Sequence, residues 1–175
     1  MFERTNGTSQ PVQIEVKSRL SIRQAMTAIG RTWLDEELAS ESNAKLRDGF
    51  GAEVKAAKVK RLTFLRERKF INKSERVTQN AMKQLEARDL KAAGEQLSEE
   101  IGKPYILAPA KGQISGVFRQ TINRPSGKYA VIETSREFTL VPWRKAMDRN
   151  LGCSITGEIG RASISWTVGK GRGIL

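Results

Sequence analysis

The stretch of sequence that decides the fold class is QISGVFRQTINRPSGKYAVIETSREFTLV, residues 113–141. Apolar and polar residues alternate along it, which is the pattern of strands with one buried face. Ile114, Phe118 and Ile122 fall on one side of the first predicted strand. Arg124-Pro125-Ser126-Gly127 then places proline and glycine where a β-turn accepts them, so the chain is predicted to reverse there.

The same alternation continues beyond the turn and predicts a small β-barrel. The further predicted strands are residues 128–134, 137–141, 153–159 and 162–168, with a short helix from Pro142-Trp143 to Asn150. Three strands, a helix and two strands is the order of a five-stranded OB-like barrel, a fold that commonly binds oligonucleotides on one face. An SH3-like barrel is the alternative, because strand order alone does not fix how the sheet closes.

Upstream of residue 104 the apolar spacing is helical. The predicted helices are residues 21–39, 52–71 and 79–101, with a short basic hairpin at 70–77. Ser21 and Gln24 form a capping box at the start of the first helix, and Gly102 stops the last one. The stripe predicted to be buried on the first helix is Ile22, Met26, Ile29 and Trp33. Two helices and a basic hairpin predict a winged-helix-like module.

The chain is therefore predicted to be α+β and to have three parts. A loose N-terminal segment covers residues 1–20, the helical winged-helix-like module covers 21–103, and the small barrel with its basic C-terminal tail covers 104–175. The last long helix has balanced charge, which favours a structural spacer over a contact surface.

Composition excludes the commonest kinds of catalytic site. The 175 residues include no histidine and a single cysteine, Cys153, so neither a Cys/His zinc site nor a Ser-His-Asp triad can form. No P-loop occurs, and the acidic residues do not form an Asp-x-Asp-like loop. We therefore predict a chain that is not an enzyme and needs no metal or cofactor. Cys153 is predicted to be a small core residue, and one cysteine suits a reducing cytoplasm.

Positive charge is concentrated in two parts of the chain. The net charge is +12; residues 51–79 hold nine basic and three acidic residues, and residues 111–175 hold eleven and four. Two separated positive blocks predict two surfaces for a polyphosphate partner, and DNA is the partner we predict. The predicted phosphate contacts are Lys55, Lys58, Arg66, Lys69, Lys73, Arg119, Lys128, Arg144, Arg161, Lys170 and Arg172. Phe118 and Tyr129, on neighbouring strands, are the predicted base-stacking residues.

Several short motifs resemble one known family. In order they are AIGRTWLD (28–35), GFGAEV (49–54), LVPWR (140–144), SW (165–166) and GKGRG (169–173). This set resembles the C-terminal domain, of unknown function, of conjugative relaxase and mobilisation proteins, over roughly residues 20–175. In that family a separate N-terminal domain nicks DNA with a tyrosine and a histidine-bound metal. None of its nicking motifs occurs here, so the resemblance transfers no catalytic residue.

The resemblance implies a role in bacterial DNA mobilisation. The expected function is a non-catalytic, cytoplasmic DNA-binding accessory domain that contacts the phosphate backbone during plasmid or mobile-element transfer. The alternative is a protein-interaction module that docks the relaxase to relaxosome or type IV secretion components, for which the glycine-rich basic end at 169–175 is the supporting feature. No apolar run is long enough to predict membrane insertion.

Overall fold

The computed structural model of the chain describes residues 20–40, 50–71, 76–160 and 164–168. Over these residues the protein is α+β, with four helices and one five-stranded antiparallel sheet. The helices are α1 (Ile22–Thr27), α2 (Trp33–Ala39), α3 (Phe50–Glu67) and α4 (Gln79–Ile101). The strands are β1 (Gly112–Arg124), β2 (Gly127–Glu133), β3 (Phe138–Pro142), β4 (Ser154–Ile159) and β5 (Ile164–Val168), with a 3₁₀ helix at Lys145–Asn150.

The first predicted helix is broken in two. The predicted capping box of Ser21 and Gln24 is present, but α1 ends at Thr27 and α2 begins only at Trp33. Gly30 between them has a φ of 149°, a conformation that residues with a Cβ rarely adopt. Ile29 lies in the break and is 47% exposed, so the prediction that it is buried as part of a helical stripe was wrong.

A fully buried ion pair fixes this break. The guanidinium of Arg61 on α3 donates to both carboxylate oxygens of Asp35 at 2.8 Å, and it also donates to the carbonyls of Ala28 and Gly30. Arg61 and Asp35 are both 0% exposed. The backbone N–H and hydroxyl of Thr32 complete the hydrogen bonds of the carboxylate. A buried charge pair requires such additional hydrogen bonds, because they offset the cost of removing both charges from solvent.

Helix α3 ends earlier than the sequence predicts. Its last residue is Glu67 rather than Ile71, and Lys69 follows in the left-handed region with a φ of 60°. Phe70 and Ile71 then turn inward and are buried with the start of α4. The predicted hairpin at 70–77 includes residues 72–75, which lie outside the described residues.

Helix α4 begins and ends where the sequence predicts. Thr78 caps its first turn, and Gly102 ends it in the left-handed conformation with a φ of 71°. Its first half packs with α3 and its second half packs against β2 and β3. The helix is therefore a packing element between the helices and the sheet, and not a spacer.

The sheet has the order β3-β2-β1-β4-β5, with every pairing antiparallel. Strand β1 pairs with β4 along its first half and with β2 along its second half. The register shifts between Phe118 and Gln120. A β-bulge reverses the alternation of side chains, so Ile122 lies with the α4 cluster and not with Ile114 and Phe118 as predicted.

Strands β2 and β3 are buried on both faces. One face contributes Tyr129, Val131 and Leu140 to the cluster with α4. The other contributes residues including Ile132 and Val141 to a cluster that also contains residues of β1, β4 and β5. Double burial explains why these strands are almost continuously apolar.

The predicted turn between β1 and β2 is confirmed and also anchors the helices. The backbone N–H of Ser126 donates to the fully buried carboxylate of Asp89 on α4. The hydroxyl of Ser126 accepts from the backbone N–H of Arg31. Arg124 forms an ion pair with the same carboxylate at 2.7 Å. Cys153, before β4, is exposed, so its predicted burial was wrong.

Candidate nucleic-acid interface

Helix α3 carries the first group of predicted DNA contacts. Lys55 and Arg66 are exposed and lie eleven positions apart, about three turns, so they share one face. Lys58 lies 3.5 Å from the carboxylate of Glu37 and is only 19% exposed. Lys69 is exposed but lies beyond the end of the helix. The structure therefore places Lys55 and Arg66 on one face of α3, about three turns apart, and assigns Lys58 to an ion pair.

The second group of cations surrounds the 3₁₀ helix, and we call it the basic rim. Its members are Lys128, Arg144, Lys145 and Arg149. The ammonium of Lys128 lies 3.8 Å from the ring centre of Trp143, whose backbone N–H donates to the carbonyl of Lys128. Arg144, Lys145 and Arg149 are exposed.

None of the rim cations forms an ion pair with a carboxylate among the described residues, although Asp148 lies in the same segment. Lys128 and Arg144 were predicted as contacts, whereas Lys145 and Arg149 were not. The sequence spacing Arg144-Lys145-x-x-x-Arg149 in a polar helical turn could have indicated them.

An open groove of about 760 Å³ lies over β1 and β4, and we call it the hydroxyl groove. Ser115, Ser154 and Thr156 line it from adjacent strands, and the hydroxyls of Ser115 and Thr156 are 2.7 Å apart. Val117 is the exposed apolar residue of its floor. These side chains project from the face of the strands opposite Ile114 and Phe118.

Glu133 on one wall of the hydroxyl groove binds two cations: Lys103, which also lines the groove, and Arg119, which reaches Glu133 from outside the lining. Lys103 Nζ lies 2.6 Å from Oε1 of Glu133 and also donates to the carbonyl of Thr134. Arg119 donates to Oε2 of the same carboxylate. The hydrogen bond from Arg119, and then that from Lys103, hold the pKa of Glu133 below its ordinary value. Arg119, predicted as a phosphate contact, is 45% exposed but already paired.

The two predicted stacking residues are buried. Phe118 is 1% exposed and Tyr129 is 2% exposed, so neither ring can stack on a base in this conformation. The hydroxyl of Tyr129 donates to Glu86, and burial raises its pKa. The prediction was wrong because α4 covers the face of β2 that carries Tyr129, and because Phe118 lies in the other cluster, among residues of β1 to β4.

Four of the predicted contacts lie outside the described residues. They are Lys73, Arg161, Lys170 and Arg172. Ser165 and Thr167 are exposed on β5.

A comparison with known families matches the whole chain. The matching family model, which covers residues 1–175, is described as a protein of unknown function, DUF3363. The chain belongs to the DUF3363 family. No curated protein and no solved structure matches it. The description of DUF3363 assigns no activity, so DNA binding and conjugation remain predictions for this chain.

Two further properties of this DUF3363 chain concern only its described residues. No three acidic or cysteine side chains among them converge so that they could hold a metal ion. None of the described helices combines the length and apolar character needed to cross a membrane.

Proposed function

We propose that this chain binds DNA through the phosphate backbone, as a non-catalytic accessory module of proteins that mobilise DNA in conjugation. Phosphate contacts give affinity with little reading of sequence, because the charge on the backbone does not depend on the bases. The resemblance of the LVPWR and neighbouring motifs to relaxase C-terminal domains supports the setting.

The observation that carries the proposal is the difference between paired and available cations. Arg61, Arg124 and Lys58 hold carboxylates within the fold, as expected for structural charges. The basic rim, in contrast, has no carboxylate partner among the described residues, and Lys128 rests on an indole ring. Cations that do not neutralise the protein's own acids are available to neutralise phosphates.

We extend the proposal to the barrel, which we propose is OB-like. Strand β1 bends between two partners, and the 3₁₀ helix lies between β3 and β4, as in the predicted strand order. The described pairings leave β3 and β5 at opposite edges of the sheet. Val141 of β3 and Trp166 of β5 nevertheless belong to one hydrophobic cluster, which supports a sheet that curves toward closure. The winged-helix part of the prediction depends on the undescribed residues 72–75.

The proposal is tested by comparing two double variants in a DNA-binding titration. Arg144→Ala with Lys145→Ala removes two rim charges, and Lys83→Ala with Lys91→Ala removes two exposed charges from α4. Fluorescence anisotropy with a labelled duplex and a labelled single strand, each in two unrelated sequences, measures the affinity. We expect the rim variant to weaken binding to both sequences alike, and the α4 variant to bind nearly as the wild type does.

Two results would overturn this function. If both double variants lose the same affinity for DNA, binding depends on the net charge of the protein and not on the basic rim. Absence of DNA binding by the wild type would favour the alternative of a module that docks relaxosome or secretion proteins.

A further inference from the structure

The hydroxyl groove combines two kinds of group that bind phosphate diesters. Hydroxyls of Ser and Thr donate to phosphate oxygens, and lysine and arginine neutralise the charge. Ser115 and Thr156 bond to each other at 2.7 Å, which uses only one of their two hydroxyl hydrogens. The second hydrogen remains able to donate to a ligand in the groove.

Glu133, in the lining of the groove, holds Lys103 of the lining and the adjacent Arg119 in a geometry that suits a phosphate. Lys103 and Arg119 each bind a different oxygen of the same carboxylate, which is 16% exposed. A phosphodiester also presents two charged oxygens on one atom, so the same pair of donors can bind it. Glu133 is therefore an internal anion that occupies the cations a phosphate would use.

The groove also lies next to the basic rim along the chain. The 3₁₀ helix that carries Arg149 leads into residues 151–153, which reach Ser154 in the groove. Two backbone hydrogen bonds fix this connection, from Gly152 N–H to the carbonyl of Phe118 and from Phe118 N–H to the carbonyl of Cys153. Cations of the rim and hydroxyls of the groove are thus joined by a short, bonded segment.

We infer that one strand of bound DNA lies in the hydroxyl groove, where a phosphate competes with Glu133 for Lys103 and Arg119. This inference rests on the proposed DNA binding and adds the contact surface and a restraint on its affinity. Ser115 and Thr156 contribute a neutral hydrogen bond to the same strand.

The competition is tested by Glu133→Gln, which leaves the side-chain size unchanged and releases both cations. Its matched control is Glu95→Gln on α4, which adds the same charge and releases Lys91, the partner of Glu95 at 3.8 Å. We expect only Glu133→Gln to bind the labelled DNA more tightly. The slope of its log affinity against log salt concentration steepens by about 0.7–0.9 for each added phosphate contact. For one added contact, the ratio of its affinity to that of the wild type therefore grows about threefold for each fourfold dilution of salt.

A second variant tests the hydroxyls without changing charge. Ser115→Val with Thr156→Val removes both partners of one exposed hydrogen bond, so no buried group is left without a partner. We expect affinity to fall by about two- to tenfold with an unchanged salt slope, because a neutral contact releases no counterions.

The outcomes separate this inference from the proposed function. If wild-type DNA binding depends on the rim but Glu133→Gln binds no better than Glu95→Gln, the inference is wrong and the function stands. If the double valine variant binds DNA with unchanged affinity, the strand does not lie in the groove and the inference is likewise wrong. If the wild type binds no DNA, both proposals fail together.

Discussion

The buried pair of Arg61 and Asp35 allows a direct prediction about what holds the helices. Replacing Arg61 with methionine leaves the carboxylate of Asp35, which is 0% exposed, with only the N–H and hydroxyl of Thr32 as donors. The carbonyls of Ala28 and Gly30 lose a donor at the same time. Methionine fills much of the volume, so the loss is mainly electrostatic.

The expected cost of Arg61→Met is about 3–5 kcal/mol, the usual effect of leaving one charge of a buried pair without its partner. Domains of this size are stable by about 5–15 kcal/mol, so the variant loses a large share of its unfolding free energy. Urea denaturation followed by circular dichroism measures the change, which corresponds to a midpoint lowered by roughly 2 M at an m-value of about 2 kcal/mol/M.

Two further variants complete this test. Lys58→Met, on the same helix, removes a partly exposed ion pair and should cost less than about 1 kcal/mol. Combining Arg61→Met with Asp35→Leu removes both charges and should be more stable than Arg61→Met alone. The explanation of this pair is wrong if Arg61→Met lowers the unfolding free energy no more than Lys58→Met does. It is also wrong if the double variant loses as much unfolding free energy as Arg61→Met and Asp35→Leu lose together.

Two other predictions concern the sheet and its contact with α4. The pKa of Glu133 is lowered in the fold, so its ion pairs stabilise the protein above the ordinary pKa of 4.5 and lose this effect as pH falls through the lower folded value. We therefore expect the wild type and Glu133→Gln to differ in unfolding free energy by a constant amount from neutral pH down to about 4.5, and by less below that pH. Unfolding measured at a series of pH values checks this, and a difference that stays constant at all of them would contradict it. Gly94→Ala should lower the free energy of unfolding by about 1–3 kcal/mol through overpacking, because the new Cβ would lie 2.3 Å from the ring of Tyr105. Adding Tyr105→Leu should recover part of this loss, as measured by thermal unfolding. If nothing is recovered, the ring contact is not the cause.

The sequence predicted the parts of the fold that depend on neighbouring residues. Helix α4 has a regular apolar stripe between Thr78 and Gly102, and both of its ends were predicted. The break at Gly30 was missed, because the helical spacing continues across it and Arg61, which fixes the break, is 31 residues away. The bulge after Phe118 was also missed, because the alternating pattern of apolar and polar residues does not show where one strand has an additional residue relative to its partner.

Predicting the candidate interface depended on knowing which charges pair with each other. Lys58 and Arg119 look like free cations in the sequence, but their carboxylate partners lie 21 and 14 residues away. Lys128 and Arg144 were predicted and have no carboxylate partner within the part of the chain that the structure describes. Tyr129 was misjudged because nothing in its own strand shows that α4 covers the second face.

The most direct test of DNA binding through phosphates is the salt dependence of wild-type affinity. The dissociation constant for a labelled duplex is measured between about 50 and 200 mM salt, where each neutralised phosphate contributes about 0.9 log units of slope. If the basic rim acts as proposed, the slope corresponds to several phosphates and is the same for unrelated sequences. A slope near zero, or binding that depends on sequence and not on salt, would contradict the account.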